Sequence, residues 1–171
     1  AESDKRVRDL VDWELILATG HVHSAIQQWA HENAKWQRDL PELLDDFTML
    51  LRDAMDLSRE LDGAEDAHDL SYMHQPSIED HEQNHYFQDW PVLIKLARDA
   101  WQETAKADTA RALHVAMDWW RLPYPVFKRL AMYAATQGGI VPAKLALEWL
   151  LVGERRWLWS IETRHETIRL M

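Results

Sequence analysis

The sequence predicts an all-α protein built from stacked antiparallel helix pairs. Glycine accounts for only five of the 171 residues, and no stretch alternates apolar and polar residues as a half-buried strand does. In addition, two similar segments of seven residues each begin with a proline, and the two prolines are 34 residues apart. Its two copies are Pro91-Val92-Leu93-Ile94-Lys95-Leu96-Ala97 and Pro125-Val126-Phe127-Lys128-Arg129-Leu130-Ala131.

Each copy is followed by a second helical pattern, over 108–121 and 142–152. A helix–turn–helix unit of this length is typical of stacked helical repeats. We therefore expect a single domain over 1–171 with about eight to ten helices, forming a HEAT- or tetratricopeptide-like bundle. Its parts are N-terminal helices over 1–61, an acidic connection over 62–89 and a helical-pair repeat region over 90–171. The chain begins with Ala and stops inside a helical pattern, so we expect a piece of a longer protein.

The N-terminal part contains three predicted helices, over 4–19, over 23–38 and from Pro41 to Gly63. The third has the clearest apolar stripe. The residues expected to face the core are Leu43, Phe47, Leu50, Ala54, Leu57 and Leu61, with Leu44 and Leu51 beside them.

Composition excludes several classes of function. The chain has no cysteine, which removes disulfides and thiol chemistry. No apolar run approaches a membrane span, and no secretory signal opens the chain, so a cytoplasmic protein without a membrane partner is expected. Residues 1–118 carry 11 Lys and Arg against 25 Asp and Glu, whereas residues 119–171 carry 8 against 4. This acidic balance argues against nucleic-acid binding, which needs positive surface. The ten tryptophans are expected mostly to fill gaps between helices.

The sharpest chemical motif is His81-Glu82-Gln83-Asn84-His85, an H-E-x-x-H pattern. On a helix its two histidines would share one face and bind zinc, and Glu82 would act as general base. A helix starting at Ser77 would supply that scaffold, because Ser77 and Asp80 resemble a capping box. Against this, charged residues precede the motif, no third ligand stands out beyond Glu103, and no strand precedes it. The alternative is a polar helix start in an acidic connection, with no metal and no cofactor.

The other histidines do not form a ligand set. His21 and His23 share a side only on a strand or loop, and they are expected to be exposed or to cap a helix, as is His31. His68 and His74 would give the acidic connection weak metal affinity or pH sensitivity. The remaining two, His114 and His165, are expected within helices.

Four stretches resemble a known region of other proteins. They are His74-Gln75-Pro76-Ser77-Ile78, Asp89-Trp90, Phe127-Lys128-Arg129-Leu130-Ala131 and Trp157-Leu158-Trp159-Ser160-Ile161-Glu162-Thr163-Arg164. From about Asp39 onward the chain resembles the helical region of large bacterial multidomain proteins. The other parts of those proteins are sirtuin-like or NTPase domains, often linked to phage defence. The resemblance implies a cytoplasmic helical scaffold or sensor segment, with catalysis in other domains. It does not require the glutamate at position 82.

Two main hypotheses of function follow. The first is a non-catalytic helical scaffold that contacts protein, either other domains of its parent chain or another copy of itself, through apolar surface left open on the helical stack. The second is a zinc-dependent hydrolase using His81, Glu82 and His85. Nucleic-acid contact through the basic C-terminal third is the weakest alternative.

Overall fold

A computed structural model of the protein describes residues 22–33, 35–84 and 90–171. Helices dominate these residues and pack against one another, which confirms the all-α class. The elements in chain order are α1 (Val22–Glu32), α2 (Trp36–Glu60), β1 (Ala64–Glu65), β2 (His68–Asp69), α3 (Ser71–His74), α4 (Val92–Ala107), α5 (Thr109–Arg121), α6 (Pro125–Thr136), α7 (Ala143–Trp159) and α8 (Arg164–Leu170). The two short strands pair antiparallel. The predicted helix over 4–19 lies outside the described residues.

The longest helix, α2, buries a different face from the one predicted. Leu40, Leu44, Leu51 and Met55 are buried along it. Leu50 and Leu57 were expected in the core, but 45% and 49% of their surface is exposed. At 3.6 residues per turn the four buried positions fall within one narrow arc of the helix. Positions 50 and 57 lie roughly 110° and 130° from the centre of that arc. The helix also begins at Trp36, so residues 36–38 belong to α2 rather than to the helix before it.

Both repeated phrases form helices where their prolines predict them. Pro91 directly precedes α4 and Pro125 is the first residue of α6, positions where the missing N–H of proline costs nothing. The side chain of Asp108 caps α5 by accepting a hydrogen bond from the backbone N–H of Arg111 at 2.9 Å.

Helix α6 is the centre of the fold. It is buried without interruption from Pro125 to Ala134 and packs against α5 and α8. Helix α4 packs along both α2 and α5. The pair α6 and α7 is less closely packed than the pair α4 and α5, and a repeat relation between the pairs stays a prediction. Tryptophans fill gaps as expected, since Trp101 and Trp119 are fully buried.

Helix α7 is interrupted over Val152–Arg155 by non-helical backbone. Gly153 has a φ of +58°, which agrees with the helix end predicted there, and Glu154 and Arg155 follow with φ of +59° and +63°. A left-handed conformation costs a residue with a side chain about 1 kcal/mol or more. The chain then makes a final turn through Trp157–Trp159 and enters α8 after Thr163, whose hydroxyl donates to the carbonyl of Trp157 at 2.6 Å.

Candidate functional site

The acidic connection is held in the core by buried hydrogen bonds. Asp69 is fully buried. Its Oδ1 accepts from the backbone N–H of Ser71 at 2.9 Å and from the Ser71 hydroxyl at 2.5 Å. Its Oδ2 accepts from the N–H of Val126 at 2.8 Å. Val126 lies in the first turn of α6, so a carboxylate far away in sequence satisfies one of the free N–H groups of that helix.

Arg129 of α6 extends this network to the C-terminal helix. Its guanidinium is completely buried and donates to the Ser71 hydroxyl at 3.0 Å, to the Gln75 carbonyl at 2.5 Å and to Glu166 Oε2 at 3.2 Å. The second oxygen of Glu166 accepts from the backbone N–H of Ile78 at 2.8 Å. A buried charge is stable only when it is paired and hydrogen-bonded, and both conditions are met here.

A second arginine, Arg98 of α4, holds the next part of the connection. Its Nη1 donates to the Ile78 carbonyl and to Asp80 Oδ1, each at 2.9 Å, and Nη2 lies 2.7 Å from Asp99. The hydrogen bond from Arg98 lowers the pKa of Asp80, whereas burial raises the pKa of Asp99. Among the described residues, the Ser77 hydroxyl is the one buried side-chain group without a hydrogen-bond partner. The network therefore fixes residues 69–80 of the connection in place.

The helix predicted to start at Ser77 and carry the H-E-x-x-H motif is absent from residues 77–84. Residues 77–84 form bends and a turn, because Arg98 and Glu166 bind both backbone groups of Ile78 and oppose helical pairing there. His81 Nδ1 accepts from the N–H of Gln83 at 3.1 Å, and Glu82 is exposed. His85 lies outside the described residues. Zinc binding by His81 and His85, with Glu82 as base, stays an untested hypothesis, and the helix it relied on was predicted wrongly.

The structure brings His81 next to a different histidine. Its ring lies 5.2 Å from that of His165 in α8, centroid to centroid. Burial lowers the pKa of His165, and the nearby His81 adds to that effect. The candidate third ligand Glu103 instead pairs with Lys106 at 2.6 Å. In the described part of the chain, no three His, Asp or Glu side chains lie close enough to hold a metal ion.

The other histidines are dispersed. His68 Nδ1 lies 2.8 Å from Glu162, His74 packs edge-on against Trp90, and His114 lies 3.2 Å from Asp118. His31 is exposed, as predicted, whereas the ring positions of His21 and His23 lie outside the described residues. Burial raises the pKa of Glu162, but hydrogen bonds from Ser160 and His68 outweigh it and leave the value below the ordinary range.

A lysine enclosed by tryptophans lies at the junction of α5, α6 and α7. Trp120 stacks on Trp149 at 5.0 Å, and Trp157 meets Trp120 edge-on at 6.4 Å. Lys128 Nζ lies 5.0 Å from the Trp120 ring centroid and 5.8 Å from that of Trp157, and it donates to the Trp120 carbonyl. Burial lowers the pKa of Lys128 to about 8. Cation–π attraction compensates part of the cost of burying its charge.

An apolar groove lies beside this cluster, between the last turn of α7 and α8. It has a volume of about 340 Å³. Four of its lining side chains are large, apolar and mostly in water: Trp159 (79% exposed), Ile161 (62%), Ile168 (60%) and Met171 (83%). Such a concentration of exposed apolar side chains on a folded protein is typical of a binding surface. We refer to these four residues with Arg164 as the end groove.

Sequence reasoning located the aromatic stretch of the end groove but not its exposure. Trp157-Leu158-Trp159 stands out in the sequence, yet Trp157 is buried and Trp159 is not. The sequence of α8 gives no signal of this exposure, because an apolar residue is expected to face the core. Glu166 and Thr167 are buried while Ile168 is exposed, so α8 turns a polar side to the core and an apolar residue to water.

No family model, curated protein or solved structure matches this chain. Within the described part of the chain, every helix is too short or too polar to cross a membrane.

Proposed function

We propose that this chain is a non-catalytic helical scaffold that binds protein through the end groove. The observation that carries the proposal is the groove itself, in which Trp159, Ile161, Ile168 and Met171 are all more than half exposed. Exposing that much apolar surface is unfavourable in water at about 25 cal/mol per Å². A partner that covers these side chains recovers this free energy.

The composition of the groove matches an interaction site. A tryptophan flanked by aliphatic side chains is the kind of anchor that dominates binding energy at protein interfaces. Arg164 lines the same groove and is exposed, and its guanidinium forms no ion pair with any residue that the structure describes. A partner segment with apolar side chains and a nearby carboxylate fits this surface.

The setting we propose is a larger bacterial multidomain protein of the cytoplasm, of the sirtuin-like or NTPase phage-defence type. Its support is the resemblance of the stretches around His74, Phe127 and Trp157. In that setting catalysis belongs to other domains, and the present segment positions them or joins copies together.

Selection of a displayed library of helical peptides on the purified chain tests the proposal. We expect enriched peptides to carry apolar residues at helical spacings such as i, i+4 and i+7, with an acidic residue nearby. They should bind the wild-type chain and lose roughly tenfold or more of their affinity for Trp159→Ala and Ile168→Asp variants.

Leu147→Asp is the matched control. Leu147 is 55% exposed on α7 but lies outside the groove, so this variant should bind the peptides normally. Circular dichroism confirms that each variant is folded. The proposal fails if no peptide family is enriched, or if the enriched peptides bind the Ile168→Asp variant as tightly as they bind the wild type.

A further inference from the structure

We infer that the partner segment is helix α2 of a second copy of this chain, so that copies associate head to tail. The inference rests on the proposed function, because it names the occupant of the end groove. It is drawn from a second exposed surface on the same molecule, whose apolar spacing and charge complement the first.

That second surface is the outward stripe of α2. Asp46, Leu50, Asp53 and Leu57 follow one another at steps of four, three and four residues, so they lie along one side of the helix. All four are exposed, with Leu50 at 45% and Leu57 at 49%. The two leucines lie about two turns apart, roughly 10 Å along the axis. This is the spacing at which an amphipathic helix places successive anchors in a groove. We call these four residues the α2 stripe.

The two surfaces carry opposite charges. Asp46 and Asp53 alternate with the leucines of the α2 stripe, and neither forms an ion pair within residues 22–33, 35–84 and 90–171. In the end groove, Arg164 carries a charge that no described residue pairs with. The nearby carboxylates of Glu162 and Glu166 are buried and already bonded, to His68 and Arg129 respectively. Docking the stripe into the groove therefore pairs free carboxylates with a free guanidinium, and such complementarity selects partner and orientation.

The surfaces also match in size and chemistry. A groove of about 340 Å³ accepts the two leucine side chains between Trp159 and Ile168. Because the two surfaces lie on different elements of one chain, their contact is heterologous. A heterologous contact leaves one surface of each kind free at the ends of a dimer, and repetition gives a ring or a filament.

Sedimentation velocity of the purified chain over a range of concentrations tests the inference. We expect the wild type to form dimers and larger species that weaken as salt rises, because the charge pairs are screened. A Leu50→Asp/Leu57→Asp double variant loses the stripe and an Ile168→Asp variant loses the groove. Each alone should associate at least roughly tenfold more weakly.

The decisive sample is a mixture of those two variants. The Leu50→Asp/Leu57→Asp variant retains an intact groove and the Ile168→Asp variant retains an intact stripe. The mixture should therefore form a 1:1 dimer and no larger species. The charge pair is tested separately, since Asp53→Arg and Arg164→Glu should each weaken association and together restore it. Leu147→Asp is the matched control and should associate like the wild type.

Three results overturn the inference: a wild type that stays monomeric at all concentrations, variants that remain monomeric in the mixture, or a stripe variant that self-associates as tightly as the wild type. The peptide selection distinguishes this failure from failure of the proposed function. If the chain does not self-associate but the groove still selects acidic amphipathic peptides, the groove binds a different protein and only the choice of partner is wrong. If it selects none, both are wrong.

Discussion

Arg129 of α6 and Glu166 of α8 form an ion pair with 3.2 Å between Nε and Oε2, and their side chains are 0% and 3% exposed. Neither charge is in contact with water. Glu166 also accepts from the backbone N–H of Ile78, and Arg129 also donates to Ser71 and Gln75. One pair thus joins the central helix, the last helix and the acidic connection.

Removing one partner of this pair should be costly. Arg129→Met leaves the Glu166 carboxylate buried without its cation, and we expect the free energy of unfolding to fall by about 3–5 kcal/mol. Urea denaturation measures the loss. Arg121→Met is the matched control, because Arg121 forms an exposed pair with Asp118 and should cost at most about 1 kcal/mol. Equal losses in the two variants would contradict the role given to Arg129.

Lys128, the lysine enclosed by tryptophans, predicts that the folded chain becomes more stable as pH rises into the alkaline range. The pKa of Lys128 is about 8 in the folded chain, below its ordinary value of 10.5, so the unfolded chain binds more protons between these two values. Stability therefore rises with pH over that window. The free-energy cost of burying the charge of Lys128 is fully present below pH 8 and is relieved as pH approaches 10.5.

Lys128→Met should remove this rise. We expect the free energy of unfolding of the wild type to increase by at least about 1 kcal/mol more than that of the variant from pH 8 to pH 10.5. Urea titrations at several pH values measure it. Lys144→Met, at an exposed position, should keep the wild-type profile. A wild-type profile in Lys128→Met would show that Lys128 is not the titrating group.

The interruption of α7 predicts a stabilising substitution. Glu154 has a φ of +59°, where glycine is free of the steric cost that a side chain meets. We expect Glu154→Gly to raise the free energy of unfolding by about 1 kcal/mol. Thermal or urea denaturation gives the value. Glu148→Gly lies in the regular part of α7 and should have the opposite effect, a loss of about 1 kcal/mol.

A measurement of zinc content tests the hypothesis that the H-E-x-x-H motif binds zinc. Residues 81–84 are not helical, so the described part of the motif lacks the helix on which the two-histidine site relied. Elemental analysis of protein purified without an affinity tag should find zinc well below one per chain. About one zinc per chain, lost in His81→Ala, would instead make the hydrolase the leading hypothesis.

Local sequence determined what could be predicted of the fold. Prolines at 91 and 125 and the aspartate at 108 mark helix starts through bonds within one turn. The all-α class follows from such local rules. The exposed face of α2 was mispredicted because Leu50 and Leu57 fit an apolar stripe equally well on sequence alone. Only the packing of α4 against α2 selects which stripe is covered.

The buried network could not be predicted, because its partners are distant in sequence. Asp69 bonds to Val126, His68 to Glu162 and Ile78 to Glu166, separated by 57, 94 and 88 residues. Acidic residues without neighbouring basic ones suggest a solvated connection. Two arginines from other helices, Arg98 and Arg129, instead stabilise a connection that is partly buried in the core. Those contacts also oppose the helix that a local capping pattern at Ser77 favoured.

The position of Glu166 near the end of the described residues affects the order in which parts of the fold form during translation. Residues 69–80 leave the ribosome some ninety residues before α8, and synthesis proceeds at about 5–20 residues per second. For several seconds the backbone N–H of Ile78 and the guanidinium of Arg129 have no carboxylate from α8 to pair with. Helices α2, α4 and α5 can assemble in that interval, but the centre of the molecule is completed only when α8 emerges. During translation this chain should therefore fold in two stages, with the buried network around Arg129 closing only after α8 has emerged.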